Sequence, residues 1–143
     1  MSPLPTSIHL EIVTPEQRLA SEIVDEAVLP GSQGSLGVRP GHTPLLTTLG
    51  IGWLMYRRGD LRRYLAIAWG FAEVLPDRIS VLAEIAERAE TIDRERARRA
   101  RDRALERLRG RDPGTDFARA QLALQKAVIR VQVAEGVGPR EPA

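Results

Sequence analysis

The sequence predicts an antiparallel β-sandwich of about ten short strands over residues 1–87, then an antiparallel α-helical hairpin over residues 88–135 and a disordered tail over residues 136–143. Three observations carry this. Short apolar runs, separated by turns rich in Gly and Pro, fill the first part of the chain. From Asp93 to Arg109 there is no Gly or Pro, and Ala, Arg, Leu and Glu dominate, all strong helix formers. Beyond a break at residues 110–114, a second segment repeats apolar residues at steps of three and four. A chain of 143 residues has room for one modest core with an appendage.

The elements follow in order. Ile8, Leu10 and Ile12 alternate with His9, Glu11 and Val13, the two-residue period of a half-buried strand. Ala27, Val28 and Leu29 form a second apolar run, closed by Pro30-Gly31. Gly and Pro then crowd residues 31–41, which reads as a succession of turns. Residues 44–49 and 51–56 are short apolar segments split by Gly50 and Gly52. Arg58-Gly59-Asp60 is a hairpin turn between residues 51–57 and 61–68, matched in length for antiparallel pairing, and Pro76-Asp77-Arg78 joins 71–75 to 79–86. No long helical segment intervenes to serve as a parallel crossover.

In the helical region Thr91 or Asp93 can cap the first helix, and Glu95 suits its first turn. Ala97, Ala100, Ala104 and Leu108 fall on one face of that helix. The second helix, residues 115–134, carries the stripe Phe117, Ala120, Leu124, Ala127, Val131 and Ala134. The short loop between them implies an antiparallel pair. Its Ala-rich seam permits close approach but little burial, so the hairpin should dock weakly.

Composition narrows the chemistry. There is no Cys, which excludes disulfides and thiolate metal sites, and the two His, His9 and His42, leave no evident metal site. Basic residues number 21 against 19 acidic, but residues 1–84 carry a net −2 and residues 85–143 a net +4. Lys126 is the one Lys; the other basic residues are Arg, an excess that GC-rich codon usage explains in the main. No apolar run approaches the ~20 residues of a membrane helix. The first 14 residues have no basic flank or signal core, so a soluble, cytoplasmic protein is expected.

No catalytic constellation stands out. There is no phosphate-binding Gly-rich loop with its Lys, and none of the six Ser sits in a nucleophile elbow. Asp25 and Glu26 are adjacent on a strand and should point to opposite faces. His9 reads as a solvent-facing strand residue, and His42 as a turn residue bonding local backbone or a contact point. Arg94, Arg98, Arg101 and Arg109 read as a solvated face, with Glu95, Asp102 and Glu106 as neighbours. Ten acids are interleaved with the basic residues of 85–143, and the hairpin's one aromatic, Phe117, lies on the seam. Nucleic-acid binding is therefore not supported.

Residues 29–47, LPGSQGSLGVRPGHTPLLT, closely resemble the signature of the ε subunit of F-type ATP synthases. So do Gly70-Phe71-Ala72-Glu73-Val74, the stretch ISVLAE at 79–84, and Ala89-Glu90-Thr91-Ile92-Asp93 with the alanine-seamed hairpin after it. The resemblance covers about residues 5–135. It implies a β-sandwich bound to the γ subunit and resting on the c-ring loops, and a C-terminal hairpin that folds against the sandwich or extends along γ toward the catalytic α/β subunits. Such a subunit performs no catalysis itself. It sits peripherally at the cytoplasmic face of the bacterial membrane, which it meets only indirectly. It couples proton flow to ATP synthesis, and its extended hairpin blocks hydrolysis.

The resemblance also implies a regulatory ATP, no cofactor being required. In some bacterial members the folded hairpin binds ATP through an Ile/Leu-Asp-x-x-Arg-Ala motif, which stands here as Ile92-Asp93-Arg94-Glu95-Arg96-Ala97. Glu87 lies five residues before Ile92, as in that pattern. Arg103 matches the distal Arg of the first helix, and Arg119 and Arg130 the outer basic positions of the second. Lys126 stands where the pattern has Arg, losing the bidentate fork. On spacing alone, Arg119, Lys126 and Arg130 share roughly one helix face, as do Arg96 and Arg103 on the first helix. Ser35 and His42 occupy positions where the family's turn loop faces the c ring. The alternative is a free-standing nucleotide sensor or basic adaptor on a β-sandwich platform.

Overall fold

The structure, a computed structural model, describes residues 4–110 and 114–136. Seven strands form one continuous sheet: β1 (Ile8–Val13), β2 (Arg18–Val24), β3 (Glu26–Gly31), β4 (Gly34–Val38), β5 (Leu45–Arg58), β6 (Leu61–Leu75) and β7 (Arg78–Arg88). Their order is β2-β1-β7-β6-β5-β3-β4. Strands from both ends of that order meet in one core: Ile8, Leu10, Leu19 and Ala20 from β1 and β2, and Ala27, Leu29 and Val38 from β3 and β4. The sheet therefore folds over on itself, and the result is a sandwich. Ile8, Leu10, Ile12 and Leu29 are wholly buried, each contributing about 1.5–3 kcal/mol relative to exposure.

Two details differ from the sequence-based expectation. The described residues hold seven strands, not about ten, because the segments divided at Gly50, Gly52 and Gly70 run on as β5 of 14 and β6 of 15 residues. Glycine there relaxes the backbone without ending the ladder. Gly70 adopts φ 128°, and a Cβ on it would lie 2.1 Å from the Leu82 carbonyl oxygen. The sheet is also not wholly antiparallel: β1 pairs parallel with β7, Leu10 opposite Ile79 and Ile12 opposite Val81. The crossover that parallel pairing demands is supplied by the rest of the sandwich, not by a helix.

The hairpin turn at Gly59-Asp60 forms as expected, with Gly59 at φ 59° and Arg58 opposite Leu61. Asp25 and Glu26, expected to diverge, converge on one guanidinium. Arg57 Nη1 lies 3.8 Å from Asp25 Oδ2 and Nη2 lies 3.6 Å from Glu26 Oε2. A bend at Asp25 breaks the strand alternation, and its carboxylate accepts the Gly59 N–H at 2.7 Å.

After β7 a short 3-10 turn, Ala89–Thr91, leads into α1 (Arg94–Arg109) and α2 (Phe117–Ala134). Asp93 caps α1 by accepting from Arg96 N, and Asp116 caps α2 by accepting from Arg119 N. The helices pack on each other, and α2 also lies on β5 and β6. Ala97, Ala104, Ala120, Ala127 and Val131 are buried, but Phe117 is 51% exposed and Leu124 only half-buried. Phe117 therefore falls off the seam, while Leu124, like Ala100, Leu108 and Ala134, sits at its half-buried margin. A second cluster, Ala66, Ile92, Ala97, Val131 and Val133, joins hairpin to sheet. It explains why Leu65, Ala66, Ile67 and Ala68 are buried in succession: Leu65 and Ile67 face the sandwich core, while Ala66 lies under the hairpin. This joint mixes Ala with Ile and Val and buries far fewer side chains than the sandwich core, so it takes less apolar surface out of water. The joint is weaker than the sandwich core. Of the segments expected to form the break and the tail, residues 111–113 and 137–143 lie outside the described residues.

Candidate functional site

Between the outer face of the sheet and the docked hairpin lies a cavity of about 290 Å³, at the small end for a small-molecule pocket. Its floor is Ile51, Ala66, Ile67, Ala68 and Ile85 from β5, β6 and β7; Ala100 of α1 and Ala123 and Ala127 of α2 leave the space open. Three charged side chains enter this mainly apolar setting: Glu87 near the end of β7, and Lys126 and Arg130 from α2. The last two are four residues apart, one helical turn, about 6 Å along the axis.

Their pairing is specific. Arg130 Nε lies 2.8 Å from Glu87 Oε1, and Arg130 Nη2 donates to Glu87 Oε2 at 3.1 Å. Both side chains are about a third exposed or less. The Nε–H is not aligned to make a hydrogen bond of its own, so one arm of the fork is a charge contact and the other an aligned bond. Lys126 Nζ sits 4.3 Å from the ring centroid of Trp69, within cation–π range.

The other expected ligands are placed differently. Ile92 and Ala97 are buried in the joint between hairpin and sheet, where they pack. Asp93 uses its carboxylate on Arg96 N, 3.1 Å away, as a helix cap. Arg96 and Arg103 are exposed on α1 and do not line the cavity. Arg119 is exposed and lines a separate groove with Arg107, Thr115 and Asp116, about 10 Å along α2 from Lys126. Spacing put Arg119, Lys126 and Arg130 on one face; the sheet covers only the part of that face holding the last two.

Ser35 is exposed on β4 beside its turn, opposite Pro30. His42 is half-buried in the loop after β4, its Nδ1 2.7 Å from the Thr43 carbonyl oxygen and its N–H donating to Arg39 O at 3.2 Å. The local-backbone role expected of a turn residue is thus observed. Ser35 and His42 lie toward opposite ends of β4. His9 bonds Ser21, Nε2 to Oγ 3.1 Å.

Two features escaped the sequence. Trp69 carried no signal beyond an aromatic before Gly70. Arg98, on what the sequence reads as a solvated face, does contact Glu95 at 3.2 Å. Its main partner is Glu135 at the C-terminal end of α2, which both Nε and Nη2 engage, while Arg94 Nη2 donates to Ala134 O at 3.4 Å. The Arg98 guanidinium holds the Glu135 carboxyl below its usual range, aided by Arg94 and Arg101. Positive charge at the C-terminal end of a helix also complements its dipole.

Among the described residues no helix is long and apolar enough to cross a membrane, and no cluster of His, Asp and Glu could hold a metal ion. Residues 7–89 match the profile of the ATP synthase delta/epsilon chain β-sandwich domain, and residues 90–135 that of the delta/epsilon chain long α-helix domain. The chain is 52% identical over 128 residues to the ATP synthase epsilon chain of Syntrophobacter fumaroxidans, covering 90% of this chain and 96% of that one. It is 46% identical over 132 residues to the epsilon chain of Moorella thermoacetica, covering 92% and 98%. Among solved structures, a chain of the Euglena gracilis mitochondrial ATP synthase superposes with TM-score 0.79 at 23% identity, covering 94% of this chain and 84% of that one; this likeness concerns the fold alone.

Proposed function

The chain belongs to the ATP synthase delta/epsilon chain family, and from that premise we propose that its docked hairpin is a nucleotide-responsive regulator of the complex. As an epsilon chain it is a non-catalytic, peripheral, membrane-associated subunit of the central stalk of F-type ATP synthase. Its sandwich seats on γ and on the c-ring loops, with Ser35 and His42 toward the ring. Its hairpin meets the catalytic α/β subunits when it leaves the sheet. The location is the cytoplasmic face of a bacterial cell membrane. The free-standing sensor or adaptor gives way to this reading, because the two family domains account for residues 7–135 together.

The observation that carries the nucleotide reading is the convergence of Glu87, Lys126 and Arg130 on the cavity beneath the hairpin. Two cations beside an apolar recess suit an anionic ligand with an apolar ring, and Glu87 supplies an acceptor for ring or ribose donors. Arg96, Arg103 and Arg119 would join by rotating their long exposed side chains. A ligand held between sheet and hairpin stabilises the docked state in proportion to its occupancy, and so withholds the hairpin from the catalytic head. Calorimetric titration of the full chain with ATP tests binding; no heat at millimolar nucleotide would sink it. ATP hydrolysis by the assembled complex with and without residues 88–143 tests regulation, and an unchanged rate under all nucleotide conditions removes that role.

A further inference from the structure

Trp69 is the one non-glycine among the described residues with a positive φ, 61°, a conformation unusual for a bulky side chain. Both neighbouring ladders step over it. β5 to β6 runs Leu49 opposite Gly70 and then Ile51 opposite Ala68, while β6 to β7 runs Ala68 opposite Ile85 and then Gly70 opposite Ala83. Next to it, Gly70 at φ 128° admits no side chain because the Leu82 carbonyl occupies that space. The backbone of residues 69–70 is thus set by its neighbours, and a Trp stands where a glycine would fit with less strain. The indole is half-buried, and its ring carries the Lys126 ammonium 4.3 Å from its centroid.

We propose that Trp69 and Lys126 form a latch that holds the hairpin on the sheet in the absence of any ligand, with Trp69 as the positioning residue on the sheet side and Lys126 as its grip on α2. The joint it reinforces is small, burying Ala66, Ile92, Ala97, Val131 and Val133, so a single directional contact weighs heavily. Lys126 also lines the cavity, so the same contact fixes the ammonium at its mouth. The latch does not depend on nucleotide binding: it acts through two side chains already in contact.

The test is hydrogen exchange of the α1 and α2 amides in the full chain without nucleotide, with amides of β1 and β7 as the folding control. Trp69→Leu and Lys126→Gln should each speed helix exchange roughly 3- to 10-fold, the range a cation–π contact supplies. The double variant should go no further than either single one, and Lys126→Arg should stay near the parent. Unchanged exchange in both single variants, or effects that multiply in the double variant, would overturn the latch. If Trp69→Leu loosens β1 and β7 as well, Lys126→Gln against Lys126→Arg decides alone: faster exchange in the first only supports the latch, equal exchange in both overturns it.

Discussion

Arg130 reaches down from α2 to Glu87 near the end of the last strand, with Nε 2.8 Å from Oε1 and Nη2 donating to Oε2 at 3.1 Å. The pair ties the hairpin to the sandwich within the candidate nucleotide site. Its value is asymmetric. The Arg130 Nε is buried although the side chain as a whole is partly exposed, so removing Glu87 strands that N–H without its counter-charge, costing about 1–3 kcal/mol. Removing both partners costs less, because nothing charged is then stranded. Denaturant unfolding of Glu87→Ala, Arg130→Met and the double variant measures this, and Glu87→Ala should be more destabilising than the double variant. Strictly additive losses would show that the two residues do not interact in solution.

Asp93 belongs to the motif proposed to take nucleotide, and its carboxylate caps α1. The two roles separate by substitution. Asp93→Ala should destabilise the hairpin by about 1 kcal/mol without nucleotide, whereas Asp93→Asn should change it little, since Asn caps as well as Asp. Thermal melts followed by helical circular dichroism, in nucleotide-free buffer, give the comparison. Equal losses in both variants would mean that the charge matters and the cap does not.

Asp93 also marks what was legible in the sequence. Its capping role needs only local spacing, and so do the turn at Gly59 and the alternation of Ile8, Leu10 and Ile12; all three are present. The contacts that join hairpin to sheet were not legible. Arg130 and Glu87 are 43 residues apart, and no local periodicity reports which part of a helix face a sheet will cover. Lys126 and Arg130 came into the cavity and Arg119 did not for that reason. The parallel pairing of β1 with β7 is likewise a property of the closed sandwich and leaves no trace in either strand.

Glu135 gives the hairpin a dependence on pH. Its carboxyl titrates below the ordinary value of 4.5, chiefly through its hydrogen bond from Arg98. A carboxylate depressed in the folded state contributes fully above its unfolded value and loses that contribution as pH falls through its folded value. The parent should therefore outlast Glu135→Gln in helix melting at neutral pH, and the gap should close as the pH drops below 4.5. A gap that persists unchanged at the acid end, with the sandwich intact, would assign the effect to something other than this ion pair. High salt at neutral pH should narrow it as well, because the pair is solvent-accessible.

Gly70 is the sandwich glycine with the least room for a side chain. A Cβ there meets the Leu82 carbonyl oxygen at 2.1 Å and the Ala83 Cα at 2.8 Å, at φ 128°. Both obstacles are backbone, so no side chain can swing aside. Gly70→Ala should cost more than about 3 kcal/mol, read as a lower denaturant midpoint for the sandwich. A loss below about 1 kcal/mol would mean that β6 and β7 separate locally without penalty.

Ala97 distinguishes the two units of the molecule. It is wholly buried in the cluster joining hairpin to sheet, and the isobutyl side chain of Leu has nowhere to go without moving α1. Overpacking of this kind costs about 1–3 kcal/mol, a large loss for a joint that buries so few side chains, so Ala97→Leu should undock the hairpin while the sandwich, with Ile8, Leu10 and Leu29 in its separate core, stays folded. Amide exchange should rise across α1 and α2 and stay unchanged in β1 and β7. In the assembled complex the same variant should shift the hairpin toward its extended form and lower ATP hydrolysis. Loss of protection in the strands together with the helices would show instead that sandwich and hairpin unfold as one unit.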